Sequence, residues 1–115
     1  MSEHVNEFYE YFESGTQKLQ KAMPDVLKGF GSLFQSVMKN GHLSEKEKEL
    51  IAIGISVSVR CEPCIYLHVK KCLSAKATRE EILEAASVAV MMQGGPSYTY
   101  MHKVIDALEA NGETG

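Results

Sequence analysis

Apolar side chains return at every third or fourth position along most of this chain, the period of helices that cover one face. Val5, Phe8, Tyr9, Phe12, Leu19 and Met23 follow it and predict a first helix from Val5 to about Met23, with a weak point at Gly15. Pro24 restarts the chain. Val26, Leu27, Phe30, Leu33, Phe34, Val37 and Met38 then make a second stripe that stops at Asn40-Gly41, a combination that ends helices. Its aromatics read as core packing rather than as a cofactor-binding box.

Ser44-Glu45-Lys46-Glu47 has the form of a capping box, in which a serine and a glutamate three residues apart satisfy each other's backbone N–H groups. A third helix therefore starts there and runs to Val59, charged for one turn and then apolar or small nearly all round. A helix of that kind has to be buried. A fourth helix is expected from about Cys61 to Leu73. Thr78-Arg79-Glu80-Glu81 repeats the capping box and opens a fifth helix, EEILEAASVAVMMQ, which again becomes wholly apolar. Gly94-Gly95-Pro96 breaks it, and Pro96 suits the first position of a sixth helix, SYTYMHKVIDALEA, ending at Asn111-Gly112. No alternating strand pattern, repeat or linker interrupts the series. The prediction is an all-α, six-helix bundle forming one domain over residues 1–115.

Composition narrows the function classes. A net charge of −3 and a pI near 5.8 lack the basic stripe of a nucleic-acid binder, and they give an anionic membrane nothing to attract. The longest apolar run, Ile51 to Val59, is too short to span a bilayer. The acidic, aromatic beginning MSEHVNEFYEYFE is unlike a signal peptide. A cytoplasmic protein is expected. In a reducing compartment structural disulfides are rare, so the close pair among the three cysteines points to redox chemistry, catalysis or metal binding. Helices three and five offer more apolar surface than so short a chain covers, which predicts a homo-oligomer.

The candidate chemistry lies between Glu49 and His68. Cys61 and Cys64 fall at the start of the fourth helix, with Pro63 in its first turn. There the partial positive charge of the helix end favours a thiolate. His68 comes one turn after Cys64 on the same face. Glu49, at the head of the buried run, is either a partnered carboxylate or an ordinary solvated one. Cys72 continues the stripe and reads as a buried structural thiol, Tyr66 as a pocket or packing residue, and His102 as a satisfied histidine. His42 belongs to a turn and His4 to a loose terminus.

Three readings of the thiols stand. One helix cannot give a zinc ion all of Cys61, Cys64, His68 and Cys72, because eleven residues span ~16 Å along the axis, and zinc-bound sulfurs at ~2.3 Å from the metal lie only about 4 Å apart. Cys61, Cys64 and His68 with a group from elsewhere could. A Cys-x-x-Cys pair one turn apart also suits a disulfide. Inert packing is the third.

The pattern E-x11-C-x-x-C-x-x-x-H, formed here by Glu49, Cys61, Cys64 and His68, with the capped helix and Gly-Gly-Pro break that follow, resembles the alkylhydroperoxidase D-like branch of the carboxymuconolactone decarboxylase superfamily. The likeness runs from about Pro24 to Leu108. It implies an all-helical subunit, commonly assembled as a trimer or hexamer, whose thiol pair reduces peroxides or disulfides without flavin, haem, metal or any other cofactor. The implied relay runs from Glu49 to His68 to Cys64, with Cys61 closing the disulfide and an external dithiol reopening it. Cys61 as the attacking thiol is the other assignment. The decarboxylases of the superfamily lack the thiol pair and give the alternative function, acid/base chemistry by Glu49 and His68 on a small lactone or keto acid. Pro63 departs from the characterised peroxidase, which has a histidine before the second cysteine.

Overall fold

Two capping boxes start the helices at the centre of the molecule. Ser44 Oγ accepts the N–H of Glu47 while Glu47 accepts the N–H of Ser44, and Thr78 and Glu81 repeat the exchange. In the computed structural model, which describes residues 2–115, the helices are α1 (Ser2–Ala22), α2 (Pro24–Met38), α3 (Glu45–Ser58), α4 (Glu62–Ser74), α5 (Arg79–Gln93) and α6 (Gly95–Ala110). There is no strand among the described residues, and the protein is all-α as expected. No helix among them is long and apolar enough to cross a membrane.

Most of the core is made by the last four helices, with Val5 of α1 added to it. Ile53 and Val57 of α3, Ile65 and Val69 of α4, Ile82 and Ala86 of α5, and Val104 and Leu108 of α6 are fully buried. α3 packs against both α4 and α5, α6 lies on α4 and α5, and α1 runs along α6. Gly54 lets α3 come close to α5, because a Cβ there would stand 3.4 Å from the carbonyl oxygen of Ala85.

Several expectations need correction. α1 passes through Gly15 without a break, since one glycine costs a long helix only about 1 kcal/mol. Pro96 is the second residue of α6, not the first. Phe30 and its neighbours are not core, for among the described residues α2 buries none of its side chains and Phe30 is 68% exposed. α3 and α5, in contrast, carry more apolar surface than the chain covers, as expected: Ile51, Ile55, Val88, Met91 and Met92 remain exposed.

Candidate functional site

The turn between α3 and α4 fixes the cysteines. α3 ends with Arg60 in the left-handed region at φ 56°, while the N–H groups of Arg60 and Cys61 return to the carbonyls of Val57 and Ser56. This reversal closes the helix and leaves Cys61 in extended backbone as the N-cap of α4. Its Sγ accepts the N–H of Cys64 at 3.3 Å, filling the place that a serine or aspartate oxygen usually takes. Cys61 and Cys64 are joined by a disulfide across 5.2 Å between their Cα atoms, a separation that a Cys-x-x-Cys pair in a first helical turn readily gives.

One turn along α4, His68 meets Glu49 of α3. Nδ1 lies 2.7 Å from Glu49 Oε1, and the carboxylate is only 3% exposed. An ionised carboxylate accepts but does not donate, so the proton between them is assigned to Nδ1. Nε2 is then the ring nitrogen left to exchange protons. Glu49 is thus a buried, partnered carboxylate, and the solvated alternative is removed.

Side chains not singled out in the sequence complete the surroundings. Phe34 of α2 lies nearly parallel to the His68 ring, with 17° between the planes and 6.3 Å between centroids. The Lys71 ammonium sits 3.8 Å from the centre of the Phe34 ring. A cavity of ≈ 230 Å³ beside Glu49 is lined by Phe34, Glu45, Glu49, Lys71, Ser74 and Ala75. On the other side of the cysteine turn, Glu62 receives Lys103 of α6 at 2.5 Å and His4 of α1 at 3.4 Å. The Lys103 hydrogen bond holds the Glu62 carboxyl below its ordinary range. His4 is therefore part of α1 and reaches Glu62, which corrects its reading as a loose-terminus residue.

The remaining candidates separate from this group. Cys72 is fully buried, and burial, with the charge of Glu49, pushes its thiol up to about 12. Tyr66 packs in the core, and Tyr9 donates its hydroxyl proton to the Tyr66 carbonyl at 2.6 Å. His102 is exposed and edge-on to Tyr98. Among the described residues no three or more His, Cys, Asp or Glu side chains gather as a metal-ligand group. Lys71 follows His68 by three positions and could have been placed near it from helical spacing. Nothing in the sequence pairs Phe34 with His68, or Lys103 with Glu62 across forty-one positions.

By its fold the molecule is an all-α protein, with six helices among the described residues. Residues 24–107 match the carboxymuconolactone decarboxylase family, and the chain belongs to it. A crystal structure of a member of that family from Legionella pneumophila superposes with a TM-score of 0.86 at 39% identity, covering 96% of each chain. A second structure, from Thermotoga maritima, has a TM-score of 0.76 at 29% identity and covers 94% of this chain and 97% of its own. That protein is a family member named as a candidate for involvement in antioxidative response. An uncharacterised protein of Cupriavidus necator is 33% identical over 95 residues, 80% of this chain and 84% of its own length.

Proposed function

We propose that the chain is a thiol-dependent oxidoreductase of the alkylhydroperoxidase D-like branch, reducing peroxides or disulfides through Cys61 and Cys64, with Glu49 and His68 as the proton relay. The observation that carries this reading is the disulfide at the start of α4 with the buried Glu49–His68 hydrogen bond one turn behind it. The Thermotoga relative's candidate part in antioxidative response supports the same class.

With a peroxide, the reduced Cys64 passes its proton to His68 Nε2, and the thiolate attacks one peroxide oxygen. The O–O bond breaks, the sulfur is oxidised to a sulfenic acid, and the other oxygen leaves as an alcohol or water after taking a proton from His68. Cys61 then displaces water from the sulfenic acid and forms the disulfide. An external dithiol reduces that bond by exchange and is itself oxidised to a disulfide. With a disulfide substrate, a thiolate of the pair attacks sulfur and the second thiol resolves the mixed disulfide.

A homo-oligomer in the cytoplasm, trimeric or hexameric by the family likeness, is part of the proposal. The uncovered stripe of α2 supports assembly, as does an apolar hollow of ≈ 400 Å³ between α3 and α5 that includes Ile51, Ile55, Val88 and Met92.

The test is a single turnover. Fully reduced protein receives one equivalent of hydroperoxide, and thiols are counted before and after, with mass spectrometry locating any bond. Loss of two of the three thiols into a Cys61–Cys64 bond is expected. No loss with hydroperoxide, and none with a small disulfide, overturns the redox reading. Lactone decarboxylation that persists in the Cys61→Ser/Cys64→Ser protein would place the chemistry in acid/base catalysis by Glu49 and His68 instead.

A further inference from the structure

We infer that Phe34, held by Lys71, is a positioning residue that sets the plane of the His68 ring. The inference rests on His68 acting as the base of the proposed reaction. It concerns what holds that base in place.

The hydrogen bond from Nδ1 to Glu49 fixes one atom of the imidazole at 2.7 Å. A contact at one atom leaves the ring free to swing about it, and Nε2, on the far side, moves the most. A flat neighbour removes that freedom. Phe34 supplies it, with its ring within 17° of parallel to His68. Proton transfer needs donor and acceptor within hydrogen-bond reach, so the orientation of this ring decides whether Nε2 serves a thiol.

Phe34 itself needs an anchor, since among the described residues its helix has no buried side chain. Lys71 provides one, with its ammonium 3.8 Å from the ring centre, a cation held against the negative face of an aromatic ring. His68 and Lys71 are three residues apart on α4 and therefore neighbours on one face. The Phe34 ring thus faces two adjacent side chains of α4, His68 at 6.3 Å between centroids and the Lys71 ammonium at 3.8 Å. Phe34 and Lys71 also line the cavity of ≈ 230 Å³ beside Glu49, so the clamp forms part of its wall.

The experiment uses the full chain with Cys61→Ser, reduced, so that Cys64 is the thiol followed. Phe34→Ala, Phe34→Leu, Phe34→Tyr and Lys71→Met are compared in the pH profile of iodoacetamide alkylation and in the NMR resonances of the His68 ring. Circular dichroism checks each fold. Phe34→Ala is expected to slow alkylation at neutral pH about tenfold, because misplaced catalytic groups lose rate steeply. It should also move the His68 ring signals as the aromatic ring current disappears. Phe34→Tyr restores both, Phe34→Leu keeps the bulk without restoring either, and Lys71→Met gives a smaller change of the same sign in the ring signals.

A folded Phe34→Ala protein with unchanged profile and unchanged His68 resonances overturns the clamp. Full recovery by Phe34→Leu overturns it too, since bulk alone would then suffice. His68→Ala separates the two ideas. If it leaves alkylation unaltered, the base assignment fails, and the ring resonances still judge whether Phe34 orients His68. If His68→Ala slows alkylation and Phe34→Ala does not, the clamp alone fails.

Discussion

α2 and α3 carry comparable apolar content, yet they meet opposite fates in the protomer. α2 sets its apolar residues out in a clean stripe, Val26, Phe30, Leu33 and Val37, and all four remain exposed. α3 has the weaker stripe because its apolar and small residues run round the helix, yet it buries Glu49, Ile53, Ser56 and Val57. Periodicity tells which face of a helix seeks cover. It does not tell what covers it, because that depends on where the neighbouring helices lie. Glu49 of α3 has a partner in His68, whereas Phe34 of α2 lies nearly parallel to the same histidine ring from outside.

The largest expected effect tests that contrast directly. Ile53→Ala removes a fully buried side chain and should cost about 2–5 kcal/mol of unfolding free energy. Val26→Ala, at a residue 58% exposed, should stay within about 0.5 kcal/mol in dilute solution. Urea titration measures both. Equal losses would mean that α2 is packed in solution as firmly as α3.

Next in size is the effect of the pair on reactivity. Glu49→Gln keeps the shape of the side chain but removes its charge, and it should slow Cys64 alkylation in the reduced Cys61→Ser protein by about 10²-fold, the scale of a lost general base. His68→Ala should do at least as much. Groups that act as one unit are not additive, so the double variant should be little slower than the slower single. Two full, independent losses would show that the hydrogen bond does not couple their roles.

A smaller effect is expected at alkaline pH, from the buried thiol of α4. The Cys72 thiol stands at about 12 in the folded chain against an ordinary 9.0, chiefly through burial. Between those values the unfolded chain binds fewer protons than the folded one, so stability falls as pH rises. The contribution is complete below the ordinary value and is lost as pH climbs towards 12. Tyr66, also pushed up to about 12, adds a fall of the same sign. Urea midpoints from about pH 8 to about pH 11 should decline, and Cys72→Ala should make the decline shallower without abolishing it. An identical slope in the variant would show that this thiol ionises as easily folded as unfolded.

Element order was legible because its signals are local. Both capping boxes and the proline restarts announce themselves within four residues, and the helices they open lie within a residue or two of where they put them, while α1, read from spacing alone, starts three residues before the expected Val5. The spacing of Cys61, Cys64 and His68 was equally legible, since one helix sets it. Glu49 was legible only as a choice between two environments, for its partner is nineteen residues away on another helix. Phe34 was misread. A phenylalanine in an apolar stripe looks the same in sequence whether the stripe packs in a core or lies over a histidine at the surface. Glu62, between the two cysteines, drew no reading, because its grip by Lys103 and His4 comes from the far ends of the chain.

The smallest effect in dilute solution, and the one that most sharpens the contrast between α2 and α3, is expected at Leu33. The residue is 60% exposed. Truncating it to alanine in an isolated protomer removes little buried surface and should change stability by no more than about 0.5 kcal/mol. The proposed assembly alters that result in a way that depends on concentration. Association stabilises the folded chain by mass action, so the wild-type melting temperature should rise with protein concentration. If α2 lies in the interface, Leu33→Ala weakens association and flattens the rise, so the variant melts with the wild type when dilute and below it when concentrated. Glu13→Ala, on an exposed position of α1, serves as the control. Melting curves over a hundredfold range of concentration, with sedimentation at each end, measure the difference. A wild-type melting temperature that stays constant while sedimentation shows only the 12.7 kDa chain would leave the α2 stripe exposed in solution and end the case for an oligomer.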